Sequence, residues 1–416
     1  MYKERVVEKE LEDLLKTFGA VVIEGPKACG KTETARRYSK STVFLDTDEN
    51  ARMALNVDPK LVLNGASPRL LDEWQIEPKI WNHIRREVDE RGKPGQFILT
   101  GSAAPADDIT RHTGAGRLVR MRMRPMSLFE SGHSNGDISM ASLLSGGRVS
   151  SLADTGVRVN DLAEYICRGG WPANLEITTA AAERFNRAYV EEIRRTDVHR
   201  VDEKSRDPIK VGALMNSLAR NVSTEVAMTT LAQDAGGAGG SLSHDTVRDY
   251  LQALERLMVI EDQPAWSPHL RSKSILRNSP KRHFVDPSLA AAAIGITHHK
   301  LLQDLKTMGM FFESLIVRDL RIYAQSLEAR VCHYRDNTGL EVDCIIEQPD
   351  GTWAAFEVKL APSQVPAGVK SLQTLAERVD KKRCGPPAAL GVIVGTGYGY
   401  TREDGIQVIP ISMLGP

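Results

Sequence analysis

Gly25-Pro-Lys-Ala-Cys-Gly-Lys-Thr32 has the spacing G-x-x-x-x-G-K-T and follows the apolar run Val21-Val-Ile23. Each residue type in it suits a triphosphate. Gly25 and Gly30 let the backbone turn tightly, so that loop N–H groups face an anion. Lys31 brings positive charge to the outer phosphates, and the Thr32 hydroxyl can ligate magnesium. The nucleotide-binding stretch is Gly25, Pro26, Lys27, Ala28, Cys29, Gly30, Lys31, Thr32 and Glu33. Glu33 opens a helix whose N-terminus adds partial positive charge. A chance glycine loop would lack this strand before it and helix after it.

Asp72 and Glu73 close the short apolar stretch that begins at Arg69. Phosphate hydrolysis needs both carboxylates: Asp72 to hold Mg²⁺, and Glu73 to orient and polarise the attacking water. Without a phosphate loop upstream, the same string would read as a strand meeting a solvated turn. Phe97-Ile-Leu-Thr-Gly-Ser102 is a further strand with a polar end, where Thr100 or Ser102 would lie beside the γ-phosphate. The alternative is an ordinary polar strand end. From Leu118 to Pro125, Met121 and Met123 alternate with Arg120, Arg122 and Arg124, the pattern of a strand with one wet face. Arg117 and Arg111 are the candidates for a finger reaching a neighbouring subunit's phosphate.

A second set lies far downstream. Glu357 and Lys359 are two apart in an apolar strand, so both emerge on one face. Asp343 joins them if its strand pairs alongside. Buried charges need partners or a metal. Asp343 and Glu357 would hold a hard divalent cation, and Lys359 would orient water. Asp…Glu-x-Lys in a helix-strand-strand-strand-helix-strand order resembles the PD-(D/E)XK nuclease fold, with Glu313 as the extra acid from the first helix. The alternative is a structural network in a nuclease-like fold without cleavage.

The Gly25–Thr32 loop, Leu71-Asp-Glu73, Leu99-Thr-Gly-Ser102 and Gly116-Arg117 with Arg124-Pro-Met-Ser-Leu-Phe-Glu130 resemble the AAA+ ATPases of bacteria and archaea that carry the domain of unknown function DUF4143. The family loop usually reads Gly-Pro-Arg-Gln-Val-Gly-Lys-Thr, and its last motif Pro-Leu-Ser. Lys27-Ala-Cys29 and Pro125-Met-Ser127 depart from it mildly and leave the phosphate contacts intact. The resemblance implies an α/β fold with an ASCE-type parallel sheet and a strand inserted between the Walker strands. It implies ATP and Mg²⁺ as ligands and a homo-oligomeric ring, such as a hexamer, in which Arg117 acts in trans.

Elements must hold these residues in place. The chain of 416 residues divides into an AAA+ core (1–130), a linker and helical lid (131–205), a winged-helix-like region (206–295) and a nuclease-like domain (296–416). Helices are expected over 161–168, 180–201, 209–222, 224–234 (capped by Ser223) and 244–257 (capped by Ser243), with a wing strand over 259–264. Arg168 is a candidate nucleotide sensor. Arg248 would face a DNA groove, although Asp245, Asp249 and Glu255 on the same helix repel phosphate. Arg194, Arg195, His199 and Arg200 are mixed with acids and read as a solvated face. The basic run Arg271, Lys273, Arg277, Lys281, Arg282 and His283 is a better place for a polyanion, so DNA or RNA is an expected partner. Formal net charge is zero, which excludes a uniformly basic nucleic-acid binder. Five scattered cysteines without a C-x-x-C pair fit a reducing cytoplasm. No run is long enough to span a bilayer.

Overall fold

The computed structural model describes residues 2–102, 113–201, 204–267 and 279–416. Two compact units are built from interleaved stretches of chain. The first comprises Met1–Pro125, Arg195–Arg206 and Leu251–Val259. The second comprises Met126–Arg194, Asp207–Tyr250 and Ile260–Pro416.

In the first unit, β1 (Ala20–Glu24), β2 (Ser41–Phe44), β3 (Arg69–Asp72), β4 (Phe97–Gly101) and β5 (Leu118–Arg122) form a sheet in the order β2-β3-β4-β1-β5. Every neighbouring pair is parallel. Parallel strands covered on both faces read as unbroken apolar runs, and Ala20–Ile23 of β1 are all buried. One core face gathers Val22, Leu71, Trp74, Trp81, Phe97 and Leu99. β4 lies between β1 and β3, which is the inserted strand that the resemblance implies. Because the strands are parallel, their C-terminal ends line one edge, where a ligand binds in such sheets. The phosphate loop, Asp72 and Thr100 stand on that edge.

In the second unit, the chain enters through Ser127, which shares a capping box with Glu130 on helix Leu128–Ser131. The helix expected over 180–201 divides. An α-helix covers Thr179–Glu192 and a π-helical turn Ile193–Asp197 follows; Val198–Arg200, already in the first unit's stretch Arg195–Arg206, resumes α-helix. Helices Pro208–Arg220 and His244–Arg256 form as expected, the latter running on into the first unit's stretch from Leu251. The helix between them starts at Met228, not at Thr224. Ser223, at φ 63°, donates its hydroxyl to Met310 O instead of capping, and Thr224 forms a β-bridge with Arg282. The expected wing strand reduces to single bridges, Ile260 with Phe284 and Gln263 with Lys281.

A short strand β6 (Ile138–Ser139) pairs with β13 (Leu414–Gly415). The main sheet uses β7 (Arg330–Arg335), β8 (Glu341–Glu347), β9 (Trp353–Lys359), β10 (Ala389–Val394), β11 (Tyr400–Thr401) and β12 (Gln407–Pro410), in the order β11-β12-β10-β9-β8-β7. Helix Leu305–Gln325 precedes β7, and helix Val365–Arg378 links β9 to its parallel neighbour β10. The helix-strand-strand-strand-helix-strand order is the one read from the sequence. Val369, Leu372 and Leu375 bury against Ile345, Ala355 and Val392.

The Arg124–Glu130 motif meets a buried ion cluster through Met126 and Leu128. Met126 N–H donates to Gly170 O at 2.6 Å. A Cβ on Gly170 would lie 2.0 Å from Met126 O, so only glycine permits this approach. Asp286 accepts from Gly170 N–H at 2.9 Å and from Arg318 at 2.8 Å. Asp319 accepts from Leu128 N–H at 2.9 Å and from Arg318 at 2.8 Å.

Candidate functional site: a phosphate loop and a carboxylate cluster

The phosphate loop turns through two left-handed residues, Ala28 at φ 61° and Gly30 at φ 104°. Lys31 is buried, and its Nζ donates to Pro26 O at 2.8 Å. The ammonium thus rests on a neutral carbonyl of its own loop, a partner that phosphate oxygens outcompete. Thr32 Oγ1 donates to Asp72 Oδ1 at 2.8 Å, and Thr100 Oγ1 donates to the same oxygen. Glu73 follows at φ 54°, ψ 44°. A non-glycine residue there costs of order 1–3 kcal/mol and needs surrounding structure to hold it. Gln75 Nε2 donates to Glu73 Oε2, and Ser102 Oγ donates to the same oxygen at 3.3 Å. The two polar residues at the end of β4 therefore divide: Thr100 stands on Asp72, Ser102 on Glu73.

Sequence reasoning missed two supports of the loop. Buried Arg5 donates to Cys29 O at 2.8 Å and to Arg124 O at 2.7 Å. Glu8 Oε1 accepts from Arg5 N–H at 2.7 Å, which anchors that segment to the start of helix Glu8–Thr17. Asp197, 170 residues along the chain, pairs with Lys27 Nζ at 2.5 Å. No local pattern marks either residue, because each is defined by its partner. Gly25 is tight for a different reason: a Cβ there would lie 2.1 Å from Met123 O.

In the second unit, β8 and β9 pair antiparallel with Cys344 opposite Phe356, which sets Asp343 beside Glu357. Val358 N–H donates to Asp343 Oδ2 at 2.8 Å. Lys359 Nζ lies 3.4 Å from that oxygen and bonds Glu357 Oε2. Helix Leu305–Gln325 adds Glu313. The residues expected from the sequence are thus brought together. Lys281 and Glu341 were not anticipated there. Lys281 Nζ lies 2.8 Å from Glu313 Oε1, 2.8 Å from Glu341 Oε1 and 3.4 Å from Asp343 Oδ1. Burial, and next the Asp343 charge, push Glu313 and Glu357 up to about 8. Burial opposes ionisation of Asp343, but Lys281, Lys359 and the Val358 N–H together hold it below the ordinary carboxylate range.

A divalent cation implied by the PD-(D/E)XK resemblance would need oxygens that two ammonium groups already bond. Among the described residues, no group of three or more His, Cys, Asp and Glu side chains is arranged to hold a metal ion. The expectation that Asp343 and Glu357 ligate a metal meets Lys281 within the donor set. Lys281, Arg282 and His283 also correct the expected polyanion surface. Lys281 and His283 are buried, and Arg282 pairs with Asp262. The rest of that run, Arg271 to Arg277, lies outside the described residues.

Comparison with known families matches residues 17–131 to an AAA domain, 159–300 to a domain of unknown function (DUF8612) and 308–414 to a domain of unknown function (DUF4143). The chain is an AAA-domain protein with a C-terminal DUF4143 domain. The uncharacterized proteins Mb2031c of Mycobacterium bovis and Rv2008c of Mycobacterium tuberculosis are each 24% identical to it over 407 residues, 95% of this chain and 80% of theirs. Among solved structures, the Walker-type ATPase PABY2304 of Pyrococcus abyssi aligns with a TM-score of 0.43 at 12% identity, over 70% of this chain and 96% of that one.

Other arginines of this AAA–DUF4143 chain have defined places. Arg117 stands at the N-terminal end of β5 and pairs with Asp89 at 2.6 Å. Ala20 pairs with Leu118 and Glu24 with Arg122, so the phosphate loop leaves the opposite end of the strands, roughly 16 Å away at ~3.3 Å per residue. A finger role for Arg117 therefore requires a second copy of the chain. Arg111 lies outside the described residues. Arg168 donates to Thr179 Oγ1 at 2.7 Å and pairs with Glu164 at 3.6 Å. Arg248 pairs with Asp245 at 2.7 Å. No described helix is long and apolar enough to cross a membrane.

Proposed function

We propose that the AAA domain hydrolyses ATP with Mg²⁺, and that nucleotide turnover governs a DUF4143 domain that docks a partner. The carrying observation is the meeting of Thr32 and Thr100 on Asp72, with Glu73 one residue further, at the C-terminal edge of a parallel sheet. The oxygens of Thr32 and Asp72 suit a hard cation, and they would hold Mg²⁺. Bound there, the ion supplies neutralisation of charge on the β- and γ-phosphates.

The chain's own residues supply the rest. Loop N–H groups and Lys31 hold the phosphates, Lys31 exchanging Pro26 O for a phosphate oxygen. Glu73 accepts a proton from water as the water oxygen bonds the γ-phosphorus. The bond from that phosphorus to the β–γ bridging oxygen breaks, and its electron pair leaves with ADP. Gln75 and Ser102 aim the Glu73 carboxylate. A kinase is disfavoured because Glu73 directly after Asp72 suits water activation. A ring of copies would supply Arg117 in trans.

Lys31→Ala should abolish both nucleotide binding and phosphate release, and Glu73→Gln should keep binding while slowing release by at least ~10²-fold. Undiminished turnover in either variant would sink the assignment. A second reading, nucleic-acid cleavage, is favoured by Asp343, Glu357 and Lys359 lying together on adjacent strands. Cutting of DNA or RNA by the wild type with Mg²⁺ or Mn²⁺, lost in Asp343→Ala, would replace the docking reading.

A further inference from the structure

We infer that Lys281 is the resident cation of the DUF4143 carboxylate cluster, and that its ammonium closes a latent divalent-metal site. The inference rests on reading this domain as nuclease-like without cleavage. Lys281 Nζ contacts three carboxylates from two elements: Glu313 on a helix, and Glu341 and Asp343 on one face of β8. The side chain is only 2% exposed. Glu313 and Asp343 are largely buried beside it, while Glu341 reaches in from the exposed rim, and carboxylates buried together need a countercharge. Here that charge is part of the chain.

Both oxygens of Asp343 and one oxygen of Glu357 are already committed. Asp343 Oδ1 faces Lys281, while Asp343 Oδ2 accepts from Val358 N–H and lies 3.4 Å from Lys359. Glu357 Oε2 accepts from Lys359. A hard divalent ion would have to displace both ammonium groups to collect an oxygen shell. Lys281 cannot drift away easily. Its backbone exchanges both hydrogen bonds with Gln263, at 3.0 and 2.9 Å. The Gln263 amide in turn donates to Asp343 O at 2.9 Å and Cys332 O at 3.0 Å. The ammonium is therefore tethered to the same strands as the carboxylates, and a tethered competitor acts at high effective concentration.

Removal of the ammonium should open the cluster. The test titrates Mn²⁺ into the full-length chain without nucleotide, with free ion followed by electron paramagnetic resonance. The proteins compared are wild type, Asp343→Asn, Lys281→Ala and the Lys281→Ala/Asp343→Asn double variant. Wild type and Asp343→Asn should bind Mn²⁺ alike. Lys281→Ala should gain one site per chain, and the double variant should lose it. Thermal melting gives a second readout, since Mn²⁺ should raise the melting temperature of Lys281→Ala more than that of the wild type or of the double variant. A wild-type site that Asp343→Asn removes would overturn the inference. So would a folded Lys281→Ala variant that gains nothing. If Lys281→Ala does not fold, the comparison of wild type with Asp343→Asn decides. Failure here, with no Asp343-dependent cutting of DNA or RNA, sinks the Lys281 inference alone. Asp343-dependent cutting by the wild type sinks the docking reading itself.

Discussion

Thr32 and Asp72, forty residues apart, are joined by a 2.8 Å hydrogen bond on Asp72 Oδ1. An Asp72→Asn amide still has an oxygen to accept from Thr32 and Thr100, so stability should fall by no more than ~1 kcal/mol. The negative charge for Mg²⁺ is lost. Phosphate release should drop by at least ~10²-fold and should partly recover as Mg²⁺ is raised. A large loss of melting temperature with unchanged turnover would contradict this division of roles.

Arg5 holds the loop without belonging to it. Arg5→Met removes donors to two carbonyls, Cys29 O and Arg124 O. Bonds from a charged donor are worth roughly 1.5–3 kcal/mol each, and leaving acceptors unmet adds to the loss. Stability should fall by about 2–4 kcal/mol in urea melts. As a positioning residue, Arg5 should act on KM for ATP more than on kcat, and Arg5→Lys should restore part of the KM.

Arg318→Met leaves Asp286 and Asp319 buried without their cation. Breaking a buried ion cluster from one side costs roughly 3–5 kcal/mol. Equilibrium unfolding should register that loss. A change under ~1 kcal/mol would show that the cluster contributes little.

The raised carboxyls of Glu313 and Glu357 give a signed pH dependence. Their ordinary value is 4.5, and in the folded chain they stand at about 8. Between those values the folded chain holds protons that the unfolded chain has released. Stability from these groups is therefore full below about pH 4.5 and is lost as pH rises towards about 8. Glu313→Gln cannot titrate, so it should gain on the wild type as pH rises from about 5 to about 8. Urea midpoints of both proteins at the two pH values check this. A difference that shrinks with rising pH would refute the sign.

Much of the architecture was legible because it is written in local patterns. Val21–Ile23, Leu70–Asp72 and Phe97–Thr100 are short apolar runs, and parallel strands covered on both faces demand such runs. The order of β7, β8, β9, helix Val365–Arg378 and β10 was legible because short apolar strand runs alternate there with helical spacing, although β7, β8 and β9 pair antiparallel. Charged residues were the hard part. Lys281 reads as one more member of a basic run until the fold buries it among acids. Asp197 reads as part of a solvated helix until the π-helical turn sets it near Lys27. Ser223 is a good cap by type, but a helix start also depends on where the next residue's backbone pairs, and Thr224 pairs with Arg282.

The first unit does not end where its motifs end. Its later stretches, Arg195–Arg206 and Leu251–Val259, arrive after long excursions of the chain. One of them brings Asp197 to Lys27 of the phosphate loop. A gene cut once, near codon 125, would carry off the recognisable motifs of the phosphate loop and leave behind the carboxylate that pairs with its Lys27. Such a module is not a cassette that recombination can pass on whole with one crossover, because its parts are written in distant stretches of the gene.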